Sequence, residues 1–280
     1  MKRSNVWVGG VLVLVVAAIG LTLLRNEPTE RREAPRRPSQ DEWLHQTLFT
    51  LLKPVALSNC TLERFGEPHD GGYLLCANLL EAVQGGYSYG ISGYDQWGCD
   101  VSRKLGVPVH QYDCFDTRQP ACPEGDMRFH AECVGPAMVY EDGRLFDTMA
   151  NQFTKNGDAA KRLVVKIDVE GAEWDSFVLA PDWVFERIDQ LVVEFHGVAS
   201  DRFVAAARRL ARFFHVVHIH YNNYSCEPGL TPFPASAYEV LFVSKKLAVV
   251  DPSRSAGGPN PLDTPNNPNA PDCQIPIANR

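Results

Sequence analysis

The sequence predicts an α/β domain built on a mostly parallel sheet with helices on both faces, and three stretches predict it. Leu163, Val164, Val165, Lys166 and Ile167 form a short, largely β-branched run that reads as a buried strand and ends abruptly in Asp168-Val169-Glu170-Gly171. Residues 87–91 read as a strand entering a glycine turn, followed by a helix and by a second strand, 107–112, that ends at Asp113. Further on, an amphipathic helix separates two more apolar strands. Strands alternating with helices favour parallel pairing, because each crossover helix covers a sheet face.

Taken in order, residues 43–57 place Leu44, Leu48, Leu51, Leu52 and Val55 at helical spacing and predict an opening helix. Asp70-Gly71-Gly72-Tyr73 is a turn signal, and 73–76 a short strand. Gly98 and residues 99–105 suit the helix after the glycine turn, and 127–134 suit a third strand. Pro181 starts a helix to residue 188, and 190–196 is an apolar strand ending in polar groups. Ser200 can cap a helix over 201–214, where Phe203, Ala207, Leu210 and Phe214 share a face, and the arginines at 202, 208, 209 and 212 lie on its solvated side. Residues 216–220 and 238–244 supply two last strands, and no internal repeat is present.

The 280 residues are 45% hydrophobic and 22% charged, suiting one globular domain, and the net charge of -7 argues against a nucleic-acid partner. The domain is expected over 41–250, after a short tail (1–5), a transmembrane anchor (6–24) and an Arg/Pro/Glu-rich stem (25–40). At 1.5 Å per residue the anchor nearly spans a bilayer core of roughly 30 Å, longer than a signal peptide's apolar region of about 7–15 residues. Residues 251–280, rich in Pro and Asn, read as a disordered tail. Arginines after the anchor outnumber the basic residues before it, which points the domain to the cytosol. The sequons Asn59-Cys60-Thr61 and Asn223-Tyr224-Ser225, with an even set of eight cysteines, point instead to the lumen of the secretory pathway, ER or Golgi. The lumenal placement is the expectation adopted. Cys114 and Cys122, bracketing a short loop, are the first pair expected, and no cysteine spacing suits structural zinc.

In an open α/β sheet ligands lie beyond the carboxyl ends of the strands, so Asp168 and Glu170 stand where chemistry occurs. Gly90 and Gly93 allow close approach of the backbone, and Asp113 follows them by about twenty residues, the spacing of a ribose-binding acid in nucleoside-binding folds. His196 ends another strand beside these acids. Glu173 reads as a helix-start acid and Glu194 as a hydrogen-bonded strand-end residue. His218 and His220 share one strand face, which raises a metal reading, although ordinary hydrogen-bonding roles are commoner and no metal is expected.

Residues 64–66, 70–73, 89–95, 109–113, 166–173 and 193–196 together resemble class I S-adenosylmethionine-dependent methyltransferases, specifically the FkbM-type and methyltransferase-like 24 type proteins. The run from Lys166 to Glu173 is the most specific part of the match. The resemblance implies a Rossmann-like seven-stranded sheet with its last strand antiparallel. It assigns S-adenosylmethionine to Gly90, Gly93 and Asp113, with Asp70, Gly71 and Gly72 expected to close over the methionine end. It also sets Asp168 and Glu170 at the reacting edge, and Asp168, Glu170 or His196 would serve as general base. Gln96-Trp97-Gly98 departs from the acidic string the family often carries after its glycine turn. The expected activity is O-methylation of a glycan or another small hydroxylated acceptor. The alternatives are a lumenal glycosyltransferase, with Asp168-Val169-Glu170 imitating a metal-nucleotide motif, and a non-catalytic binding module of the same fold.

Overall fold

A computed structural model describes residues 38–274. Helix α1 (Gln40–Leu51) opens on a capping box in which Ser39 and Glu42 satisfy each other's backbone N–H. Strands β1 (Leu62–Gly66) and β2 (Gly72–Cys76) pair antiparallel as a hairpin of their own. There follow β3 (Gly85–Tyr89), α2 (Gln96–Leu105), β4 (Val109–Tyr112) and β5 (Met127–His130). Strands β6 (Cys133–Val134), β7 (Val139–Glu141) and β8 (Arg144–Asp147) form a separate three-stranded sheet before α3 (Met149–Lys155). The second half runs β9 (Leu163–Ile167), α4 (Glu173–Leu179), α5 (Asp182–Arg187), β10 (Ile188–His196), α6 (Asp201–Phe213), β11 (Phe214–Tyr221) and β12 (Ala237–Ser244).

The main sheet is mixed, with strand order β11-β12-β10-β9-β3-β4-β5. Its pairs are parallel from β10 to β5, whereas β12 runs antiparallel to both β10 and β11. From β3 the chain builds outward through β4 and β5, then returns to lay β9 on the other side of β3. The carboxyl ends of β3 and β9 therefore flank a topological switch point, where strands leave in opposite directions and a crevice opens.

Strand alternation divides the interior into two cores. Leu163, Val165, Ile167, Leu191, Val193 and Phe195 join the larger core with α1, α3, α4, α5 and α6. Val164, Val192, Leu241 and Val243 face the smaller core, closed by Trp97 and Val101 of α2 and by Phe65 and Tyr73 of the hairpin. The expectation of cover on both faces holds, but one cover is a helix plus a hairpin.

Three expectations are corrected. The third strand breaks at residues 131–132, and its second part pairs with β8 in the small sheet instead of extending β5. Cys114 does not pair with Cys122. The bridges are Cys60–Cys76, Cys99–Cys122, Cys114–Cys133 and Cys226–Cys273, because the loop after β4 carries residue 122 across to α2. Finally, the part of the tail up to residue 274 is ordered against the domain: Asn266 is buried, Asn223 donates to three of its carbonyls, and a disulfide holds Cys273. Side-chain bonds to backbone and a covalent tie replace the apolar burial that its composition lacks.

Both sequon asparagines are engaged in this packing: Asn59 bonds Leu247 and Val249, and Asn223 is buried under the tail. Among the described residues no helix is long and apolar enough to cross a membrane, and the expected anchor at 6–24 lies outside the described residues.

Candidate functional site at the carboxyl edge of the sheet

Period-two alternation puts Lys166 on the same face as Val164, and Glu194 and His196 on the same face as Val192, toward the smaller core. The parallel register pairs Ile167 with Val193, so the next residues, Asp168 and Glu194, emerge at one level. Sequence spacing alone contained this grouping, but the reading of Glu194 as a simple strand-end residue missed it.

Partners from distant parts of the chain complete the group. The Tyr73 hydroxyl of β2 lies 3.3 Å from Asp168 Oδ2 and 3.4 Å from Glu194 Oε2. Lys166 Nζ donates to the Gly90 carbonyl at 2.9 Å and is 3.5 Å from Asp168 Oδ2. The Asn222 amide donates to Glu194 Oε1 at 2.7 Å. No local signal marks Tyr73 or Asn222, because each arrives from a distant element.

His196 faces three carboxylates. Its Nδ1 is 3.3 Å from Glu173 Oε1, and its Nε2 is 3.4 Å from Glu170 Oε2 and 3.9 Å from Glu194 Oε1. Glu173 does more than start α4. Fully buried, it accepts from the backbone N–H of Gly171 and of His196, clamping the turn after β9 to the end of β10. Glu170, left-handed at φ 54° and largely exposed, stands outside the Asp168–Glu194 pair.

Burial raises the Glu194 carboxyl well above its ordinary range, and the charges of Asp168 and Glu239 add to the rise. Burial alone would lower His196, but the hydrogen bond and charge of Glu173, with Glu194 and Asp168, reverse that and raise it. Burial, then Asp168 and Glu194, push the Tyr73 phenol far up, so it remains a donor.

The glycine turn adjoins this group. At Gly90, φ is 71°, and a Cβ there would fall 1.6 Å from the Asp168 carbonyl oxygen. Only glycine lets the ends of β3 and β9 meet so closely. Gly93, at φ 75°, has the side chains of Asp116 and Arg118 as its nearest neighbours. Asp113 Oδ2 accepts from the N–H of Ile91 and Ser92 at 3.1 and 2.8 Å, and Oδ1 from Phe115 and Asp116 at 2.8 and 2.9 Å. These four donors use its acceptor capacity to shape the turn. Asp95 caps α2 through Gly98 and accepts from Gln111. The Tyr94 hydroxyl donates to Glu67, tying the turn to the hairpin loop.

Asp70, Gly71 and Gly72 form the hairpin tip, which the C-terminal segment holds through Asn266 and Asp70. It is Tyr73, not the tip, that reaches Asp168. His218 and His220 do not join this group. They bind Asp263 at 2.9 Å, and Glu239 and Asp272 at 3.5 and 3.4 Å, as part of the C-terminal attachment. Two cavities of about 230 and 750 Å³ flank β11 near His218 and His220, and neither is lined by Gly90, Asp113 or Asp168.

The structure thus brings together Gly90, Asp168, His196 and, through His196, Glu170, with Asp113 one strand away beneath the glycine turn. No protein-family model matches the chain, and no curated protein matches it either.

Proposed function

We propose that this chain is an S-adenosylmethionine-dependent methyltransferase that methylates a hydroxyl oxygen of a glycan or another small hydroxylated acceptor. The observation carrying the reading is the junction at the switch point. A glycine turn shaped by an acid on the neighbouring strand touches the strand end that presents Asp168. The strand order and the antiparallel β12 agree with the class I methyltransferase fold that the sequence resembles.

The residues fit such a donor. The nearest groups over Gly93 are the side chains of Asp116 and Arg118, and Arg118 is exposed, so a nucleoside would reach the turn backbone by displacing a surface side chain. With its own acceptors filled, Asp113 serves by holding Ile91 and Ser92 in place. The donor supplies an activated methyl group, so the protein's main task is alignment. Asp168, held by Lys166 and Tyr73, takes the acceptor hydroxyl proton as the new carbon–oxygen bond forms and the carbon–sulfur bond breaks. Raised and shared among three carboxylates, His196 is the weaker base candidate.

The glycosyltransferase alternative loses ground because Glu170 turns away from Asp168 toward His196. The four filled acceptor sites of Asp113 favour the binding-module alternative as the second reading. Four disulfides support a lumenal location; the sequons, with both asparagines occupied, do not.

The deciding experiment is calorimetry of the full chain with S-adenosylmethionine, followed by labelled-methyl transfer to a fractionated glycan extract. Saturable donor binding and a labelled product are expected. Binding of a uridine sugar with manganese, and none of S-adenosylmethionine, would overturn the proposal; donor binding without any product would favour the binding module.

A further inference from the structure

We propose that Asp168, Glu194 and His196 form a divalent-cation site, in which two carboxylate oxygens and one imidazole nitrogen hold a Mn²⁺-type ion. This departs from the metal-free expectation of the sequence. The site stands on geometry alone and does not depend on the methyltransferase reading.

The candidate ligand atoms lie within 4.8 Å of one another. Two atoms about 2.0–2.3 Å from one ion lie at most about 4.6 Å apart, so the set closes on an ion with shifts of only a few tenths of an ångström. The contacts inside the group are long: Tyr73 to Asp168 at 3.3 Å and to Glu194 at 3.4 Å, Lys166 to Asp168 at 3.5 Å, and His196 to Glu194 at 3.9 Å. A good hydrogen bond to oxygen spans about 2.7–3.2 Å. From outside, Asn222 holds Glu194 at 2.7 Å and Lys166 holds the Gly90 carbonyl at 2.9 Å, while Glu173 and Glu170 stand 3.3 and 3.4 Å from His196. The members of the group therefore do not close on one another by good hydrogen bonds.

The bracing has the pattern of a metal centre. Glu173 faces Nδ1 of His196 and leaves Nε2 toward the carboxylates, as a carboxylate does when it orients a metal-bound imidazole. Asn222 does the same for Glu194. Glu194 is almost fully buried beside Asp168, and Lys166 reaches Asp168 only at a long distance, so a cation between the two carboxylates would offset their mutual repulsion. Two carboxylates favour an oxygen-seeking ion such as Mn²⁺, and the imidazole argues against Mg²⁺, which keeps to oxygen ligands. Under the proposed function, and resting on it, the ion would hold the acceptor hydroxyl beside Asp168.

The test is Mn²⁺ binding to the full chain, followed by electron paramagnetic resonance with neither methyl donor nor acceptor added. One ion per chain is expected, with pulsed spectra showing nitrogen coupling from one imidazole. Asp168→Asn should weaken binding at least tenfold, and His196→Gln should abolish the nitrogen coupling. His220→Gln, outside the group, should leave affinity within about threefold. The nitrogen signal of the parent chain keeps the test decisive should a variant fail to fold. Absence of stoichiometric binding, or binding without imidazole coupling, would overturn the site and leave Lys166 as the counter-charge. A chain that binds Mn²⁺ but not S-adenosylmethionine would keep the site and sink the methyltransferase reading, so the two failures are distinct.

Discussion

At Gly90 the demands of folding and of the site coincide. A methyl group there would meet the Asp168 carbonyl, and the φ of 71° disfavours any L side chain. Gly90→Ala should therefore cost about 3 kcal/mol or more of stability, read as a lower urea midpoint, because backbone must move and strain is added. Asp113 and Asp168 divide the work differently. Asp113→Ala strips the acceptor from four backbone amides, so it should weaken donor binding at least tenfold and destabilise the fold by about 2–3 kcal/mol. Asp168→Asn keeps the shape of a partly exposed side chain and should lower turnover about a hundredfold or more, with donor affinity within about threefold. Titration calorimetry beside steady-state kinetics separates the two, and equal loss of donor affinity in both variants would contradict the division.

Among the elements, the long helices were legible by their helical period and the buried strands as short, continuous apolar runs. Helix α6, begun by Ser200, and the buried strands β9 and β10 follow that rule. The segment after β12 was not legible. Its prolines and asparagines match a disordered composition, yet its backbone is held by the distant Asn223 side chain while Asn267 shapes a local turn, which composition does not encode. The Cys226–Cys273 bridge closes a separation of 47 residues. Losing such a loop constraint costs up to about 4 kcal/mol in the chain-entropy view. Cys273→Ser should lower the melting temperature, and limited proteolysis should cut within 251–274 before any other described segment. Simultaneous cleavage throughout the chain would show that the segment and the sheet unfold as one unit.

For the whole molecule, the alternation of strands and helices carried the architecture and the edge at which the acids cluster. It did not carry what converges there from elsewhere. Tyr73 arrives on the hairpin and Asn222 from beyond β11, and the cysteine partners follow the path of a loop through space. The same long-range convergence ties global stability to pH. His220, on β11, is pulled down by burial, but the hydrogen bond and charge of Glu239, with Asp263 and Asp272, more than reverse this and raise it to about 9. Its ordinary value is about 6.5. A group whose folded value is raised stabilises fully below its unfolded value and loses that contribution as pH climbs through the folded one. Stability linked to His220 should thus be complete below about pH 6.5 and gone above about pH 9, a change of about 3 kcal/mol. Denaturant titrations across that window should show the decline, and His220→Gln should reduce it, leaving the share of His196, which is raised as well. A slope that the substitution leaves unchanged would assign the effect to other groups.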